Sequence, residues 1–506
     1  MLDDQAQIAA NYPTMVGEVN SIVPSGDWTP KVAVDAAWGA AISEVTYQIL
    51  HQYGDVTWTS RMYNGIRAYF LYLVSVTNAT TGLSSEHQWG DWDAAFPRTF
   101  YVPNTASIGA TGAHIRVAQQ LADIAPLVGR GGDVPEYEAF LTAVVKPFNA
   151  VYANATAPWT YTDGVEQTPT LLALSLGLVP TTLVNQSIAW LINDIETTRA
   201  MHLSTGATGT RLFFPYLSSI GRTDLAAAIA AQDTFPSFGY WITQGATTCW
   251  ENWSGNTDEQ HGNVPPTHNH IFLCSHSGGW MWDNLVGVSR AVGSLAYSSI
   301  IVRPPLLSSL ASMSGSLNSA SGPISVAWTW GGAGAENATL SITFPMNVLV
   351  SISVPVAGFT NPTISVSGVT VWSNGAFQPG VLGLTSARAD GAYVTFAADS
   401  SGLGIYSFVA KSTSAASTSM APTACSGAAL RCPSPARIAA VHRAGLRVTG
   451  GWRRRFLVTH VVESMCTGLS ECVVPDAAAI ASELAPAVVI DEADISLPVC
   501  VEALCA

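Results

Sequence analysis

Charge is what this sequence has least of. Asp, Glu, Lys and Arg make up only 11% of its 506 residues, against 48% hydrophobic ones. Chains that stay unfolded show the opposite balance, so the composition excludes wholesale disorder and supplies a large core. Basic residues are the scarcer sign: 21 Lys and Arg against 35 Asp and Glu give a net charge of −14. That argues against nucleic acid and against an anionic membrane as partners. No uncharged apolar run approaches the roughly 18–20 residues of a membrane span. The opening MLDDQAQIAANYP has no basic-then-apolar leader profile. Cysteine is nearly missing from the first 424 residues, which carry only Cys249 and Cys274. With no C-x-x-C pair and no Cys/His ligand spacing, neither a metal site nor a cofactor is expected.

What is present is unevenly distributed. Residues 1–298 repeat a helical periodicity. Trp38, Ala41, Ile42, Val45 and Ile49 form one apolar stripe, stopped near Gly54. Leu141, Val144, Val145, Phe148 and Val151 form another, and Val184, Ile188, Leu191, Ile192 and Ile195 a third. GRGGD at 129–133 and GLVP at 177–180 are short punctuators between them. Paired helices over about 300 residues predict an α/α barrel or helical toroid. Beyond Ser298 the small-residue stretch ASMSGSLNSASGP leads into period-two alternation. Residues 324–330, the run NATLSITF and Tyr393–Phe396 read as strands, so 299–411 is expected to be a β-sandwich. A Ser/Thr/Ala-rich linker covers 412–424.

The tail, 425–506, holds Cys425, Cys432, Cys466, Cys472, Cys500 and Cys505. Such crowding reads as a small module stapled by disulfides, whose pairing sequence leaves open. Asn78, Asn154, Asn185, Asn252 and Asn337 begin N-x-S/T sequons, which together with the tail point to a secreted protein.

The candidate chemistry lies in two tryptophan-flanked carboxylates. GATTCWENWSG at 245–255 sets Glu251 between Trp250 and Trp253, and WGDW at 89–92 sets Asp91 between Trp89 and Trp92. Cleaving a glycosidic bond needs one carboxyl group to protonate the leaving oxygen and another to activate water or attack carbon. Sugar C–H faces pack on indole, so an aromatic wall beside an acid suits a carbohydrate site. On spacing alone the bland alternative is as good: a carboxylate beside tryptophan can cap a helix or accept an indole N–H.

Order along the chain sharpens the choice. Trp38-Gly-Ala-Ala, WGDW, QTPTLLALSLGLVP at 167–180, STGATGT at 204–210, FPSFGYWITQGATTCWENW at 235–253, NHIF at 269–272, GGW at 278–280 and YSSIIVRPP at 297–305 follow one another. As a set these resemble glycoside hydrolase family 78, the α-L-rhamnosidases, over roughly residues 5–410. The resemblance implies an (α/α)6 barrel, exo-acting hydrolysis of terminal α-L-rhamnose with inversion, and a rhamnose-containing carbohydrate as partner. It implies that Glu251 is the general base, that His270 contacts the sugar, and that Trp38, Trp89, Asp91, Trp92 and Trp250 line the pocket. For Trp38 core packing on its helix stripe is an equal alternative.

Two departures matter. The family's Asp-Glu-Arg stretch bearing the general acid is not found, and its Trp-Gly-Asp is Trp38-Gly39-Ala40 here. The expectation is therefore an N-terminally incomplete barrel, with Asp35 and Asp91 as the carboxylates to test for any substitute acid. The alternative is a non-catalytic carbohydrate-binding homologue that lacks the acid. A polysaccharide lyase on the same fold would want basic residues around a uronate, and the motif set has few. The tail more weakly resembles a rhamnose/galactose-binding lectin of the sea-urchin-egg type, through LRCPSPARIAAVHRAG at 430–445 and HVVESMCTGLSECVVP at 460–475. That resemblance implies oxidised Cys466 and Cys472. The expected architecture is thus multidomain: an incomplete all-α (α/α)6 barrel, an all-β sandwich and a small disulfide-rich lectin-like module.

Overall fold

The computed structural model describes residues 1–21, 35–85, 89–95, 103–162, 164–255, 266–274, 276–332, 336–399, 401–402 and 404–412, and the backbone of two tail strands. After α1 (Leu2–Asn11) and the short α2 (Ala36–Gly39), helices come in pairs. These are α3 (Ala41–Tyr53) with α4 (Val56–Ser75), α5 (Pro103–Leu127) with α6 (Val134–Tyr152), α7 (Gln167–Ser175) with α8 (Val184–Asn193), and α9 (Ala207–Ser219) with α10 (Thr223–Ala230). The first helices of successive pairs also touch one another, α3 to α5, α5 to α7 and α7 to α9. This is the hairpin-by-hairpin layering of an α/α barrel.

Side-chain chemistry decides which helix lies inside. In α7, QTPTLLALS, every residue from Gln167 to Leu174 is buried, as in a helix covered on all sides. Its polar members are matched in place: Gln167 Nε2 donates to Asp194 and its Oε1 accepts from Ser204 N–H. By contrast α6 buries a single stripe, Tyr137, Leu141, Val144, Phe148 and Tyr152, and forms the outer layer. The sequence stripe there was right at three positions, but Val151 is exposed. In α3 the buried face is Ile42, Ser43, Thr46, Tyr47 and Leu50, with Val45 exposed. Polar Ser43 and Thr46 enter the interior because Gln120 and the Ile42 carbonyl partner them. Counting apolar residues alone misplaced that stripe.

Within the barrel, Glu44 on α3 receives Arg116 from α5 and Arg211 from α9, and Gln120 Nε2 at 2.9 Å. Burial pushes the carboxyl up, but the two guanidiniums and the amide hold it below its usual value. His114 on α5 is the reverse case. It is 1% exposed, packed against Phe70 and Phe140, and its Nε2 has no hydrogen-bond partner among the described residues. Burial alone drives its pKa down to about 3.

An unfolded histidine takes a proton near pH 6.5 that folded His114 refuses, so stability is full above that pH and falls as pH drops toward 3. Each unit of difference is worth about 1.4 kcal/mol. His114→Phe should therefore flatten the acid side of the stability curve, read by denaturant melts between pH 4 and 7.

The helical part closes with α11 (Phe238–Thr243) and α12 (Ser277–Trp280), which continues as a widened turn to Val286. Gly287, at φ +81, turns the chain into β1 (Val288–Arg290). That strand already lies in the sandwich, paired with β2 (Ser299–Val302), so the sheet begins upstream of Ser298. The sandwich adds β3 (Ser312–Ser319), β4 (Gly322–Trp330), β5 (Asn337–Thr343), β6 (Leu349–Pro355), β7 (Thr363–Val366), β8 (Val369–Ser373), β9 (Ala376–Phe377), β10 (Leu384–Ala389), β11 (Tyr393–Ala398) and β12 (Ile405–Lys411). One sheet runs β1-β2-β6-β11-β10 and the other β3-β4-β5-β12-β7-β8-β9. Strand β4 alternates as expected, burying Ile324, Val326, Trp328 and Trp330. The Ser-rich stretch read as a lead-in is β3, paired along its whole length with β4. It lacked the apolar alternation of a strand because neither of its faces is fully buried.

In the tail, Ile438–Ala444 and Val501–Cys505 pair antiparallel. The expected lectin-like module and its disulfides otherwise lie outside the described residues.

Candidate active site

Three loops meet at the N-terminal ends of the inner helices, and carboxylates tie two of them down. Asp35 caps α2, its Oδ1 accepting from Ala37 N–H at 2.8 Å and Trp38 N–H at 3.3 Å. Its Oδ2 accepts from Trp89 N–H at 2.9 Å, which joins the Trp38 loop to the WGDW loop. Trp38, Trp89 and Trp92 are each half-buried, and the last two meet edge to face at 5.3 Å.

Asp91 is 2% exposed and fully engaged. Its Oδ1 accepts from Thr208 and Gly209 N–H, both at 2.9 Å, and its Oδ2 from Gly206 N–H at 2.8 Å and from Thr168 Oγ1. Those three amides open α9, where Gly206 at the N-cap has no side chain to accept them. Burial pushes the Asp91 carboxyl up, against the pull of these four bonds. A side-chain oxygen borrowed from a distant loop thus caps α9. Gly206 lies so close to Trp92 that a Cβ there would strike the Trp92 carbonyl. The chemistry of STGATGT is therefore that of a docking surface for the WGDW loop.

Glu251 is in a different state. It is half-exposed; its N–H donates to Thr267 O at 2.8 Å, and its Oε2 accepts from Thr267 N–H at 2.9 Å. Its neighbours are anchors. Trp253, 2% exposed, donates from Nε1 to Thr205 O at 2.8 Å and stacks on Trp241 at 5.0 Å. Trp250 stacks on His268 at 4.7 Å, and Gly255, at φ +67, leaves room for the Trp250 ring. Asn252 is buried in the folded chain, and its Oδ1 accepts from Gly255 N–H at 2.6 Å. His270 is exposed, lies edge-on to Phe272 at 4.3 Å, and donates its N–H to Cys249 O at 2.8 Å.

A cavity of about 340 Å³ opens beside this loop, lined by Gln244–Thr248, Trp250, Ser254, Gly255 and His268. Among the described residues, no group of three or more His, Cys, Asp or Glu side chains is placed to hold a metal ion. Cys249 and Cys274 form a disulfide, Cα to Cα 6.4 Å. Their pairing was not read from sequence, although their isolation in the first 424 residues was the available signal.

The fold and these loops match one family throughout. The family model described as the bacterial alpha-L-rhamnosidase six-hairpin glycosidase domain covers residues 1–285, and that of the bacterial alpha-L-rhamnosidase C-terminal domain covers 287–362. The chain belongs to the bacterial α-L-rhamnosidase six-hairpin glycosidase family.

An α-L-rhamnosidase of Streptomyces avermitilis is 28% identical over 322 residues, 63% of this chain and 29% of that protein. One from an Alteromonas species is 28% identical over 330 residues, 64% of this chain and 34% of that protein. The solved α-L-rhamnosidase of Dictyoglomus thermophilum superposes with a TM-score of 0.67 at 25% identity, over 78% of this chain and 42% of that one. The Streptomyces avermitilis enzyme, solved with L-rhamnose, gives 0.64 at 25% identity, over 81% and 36%. The chain spans about a third of the length of these two curated relatives. The family and the helical and sandwich regions are those expected from sequence.

Proposed function

We propose that this chain carries the water-activating half of an exo-acting, inverting α-L-rhamnosidase site, with Glu251 as general base. The observation that carries this is the contrast among three carboxylates. Asp35 and Asp91 are buried and committed to helix caps. Glu251 is reachable from solvent and spends one oxygen on one amide. A base must present a free lone pair to water, and Glu251 has that geometry. In an inverting site the attacking water approaches opposite the leaving group, so the first sugar released is the β-anomer. Proton NMR during hydrolysis of an aryl α-L-rhamnoside should show β-L-rhamnose first; α-L-rhamnose appearing first would overturn inversion.

The caps also favour the second reading, binding without efficient turnover. Asp35 and Asp91 are buried and taken up by hydrogen bonds from the backbone and from Thr168, so neither is presented to a leaving group. Losing general-acid help costs roughly 10²–10⁴ in rate, and least where the leaving group is already a good anion. This chain is therefore expected to turn over 4-nitrophenyl α-L-rhamnoside far better than an alkyl rhamnoside. Equal kcat values on the two would show that another group serves as acid. Rhamnose binding by calorimetry with no turnover of either substrate would establish the binding reading.

A further inference from the structure

We infer that the Cys249–Cys274 disulfide is a positioning element for Glu251, clamping the segment that bears it onto the segment that supplies its partner amide. The inference rests on the role proposed for Glu251, but its first readout does not.

The two cysteines bracket the site. Cys249 precedes Glu251 on one segment, and Cys274 follows Thr267 and His270 on the other, 25 residues along the chain. Between the segments run Glu251 N–H to Thr267 O, Thr267 N–H to Glu251 Oε2 and His270 N–H to Cys249 O, each 2.8 or 2.9 Å. Thr248 Oγ1 to His268 O, His268 Nε2 to Gly255 O at 2.8 Å and the Trp250–His268 stack add to the join. The carboxylate is thus oriented by an amide belonging to the opposite segment.

Beyond these contacts the opposite segment is held only toward its Cys274 end, by buried Leu273 and half-buried Phe272 against the core. Thr267, His268, Asn269, His270 and Ile271 are all exposed, and Ile271 is 67% exposed. Leu273 is its only fully buried side chain among the described residues. Backbone hydrogen bonds open to water and unsupported by apolar packing are the first to break in local opening. The Glu251 segment is better anchored, through Trp250, Asn252 and Trp253. A covalent link between a held and a loosely held segment removes open states of the second, and the effect grows with the length of chain it closes. Here it would hold Thr267 N–H at Glu251 Oε2, and so fix which oxygen remains for water.

The test is the double variant Cys249→Ser/Cys274→Ser of the full chain. Hydrogen exchange followed by mass spectrometry reads the amides of Glu251, Thr267 and His270, with α5 and β4–β5 as internal controls for folding. Exchange at the three amides is expected to rise about 10-fold or more, with the controls unchanged. On 4-nitrophenyl α-L-rhamnoside, kcat should fall about 10-fold while KM moves less than about 3-fold, because orientation of the base is lost and not the sugar pocket. If the double variant does not fold, the folded wild-type chain is treated with a water-soluble phosphine instead. The disulfide and one water then yield two thiols and the phosphine oxide, and the same amides are compared. Unchanged exchange at Glu251 and Thr267 would overturn the inference, and so would faster exchange with unchanged kcat. A wild-type chain with no turnover would count against the function proposed above; the exchange comparison then decides the cross-link's role alone.

Discussion

Glu251→Gln is expected to reduce turnover of 4-nitrophenyl α-L-rhamnoside by about 10²–10⁴. The amide keeps the shape of the side chain, and its carbonyl oxygen can still accept from Thr267 N–H, so the loop held at 2.9 Å should survive. What disappears is an oxygen able to take a proton from water. Rhamnose affinity should therefore stay within a few-fold, and the loss should fall on kcat and kcat/KM together. Steady-state kinetics with parallel calorimetry separate the two effects. Near-wild-type turnover by Glu251→Gln would remove Glu251 from the mechanism.

Asp91→Ala is expected to act on stability. The substitution strands the amides of Gly206, Thr208 and Gly209 and the Thr168 hydroxyl in a buried site. Each unsatisfied buried donor costs about 1–3 kcal/mol, and relaxation toward water recovers part of the sum. A net loss of roughly 3–5 kcal/mol is expected, in the range found when one partner of a buried charged network is removed. Urea melts monitored through the helical signal provide the measurement. Asp91→Asn should lose less, because one acceptor oxygen remains. If Asp91 instead served mainly to hold sugar, Asp91→Ala would melt near wild type and lose rhamnose affinity.

These two residues show why the motifs could be ranked only after folding. WGDW and CWENW present the same local picture, an acid beside tryptophans, yet one acid is buried on a helix end and the other is half-exposed with one amide on its carboxylate. Capping had been weighed for both on spacing alone. The partners that decide between the two, Gly206, Thr208 and Gly209 for Asp91 and Thr267 for Glu251, are remote in sequence. Val45 and β3 were misread for a related reason. Both judgements assumed that apolar residues mark the buried face, whereas Ser43 and Thr46 are buried with partners and the inner face of β3 is only half-buried.

The layered helical region, the sandwich after it and the family were legible before folding, because periodicity, turn residues and motif order are written along the chain itself. That Asp35 and Asp91 cap helices, that Asn252 is buried and that Cys249 pairs with Cys274 came from packing alone. Each of those outcomes depends on burial and on a partner brought in from another loop. Hydrogen-bond satisfaction and chain crossings are settled by packing, which one-dimensional spacing does not encode.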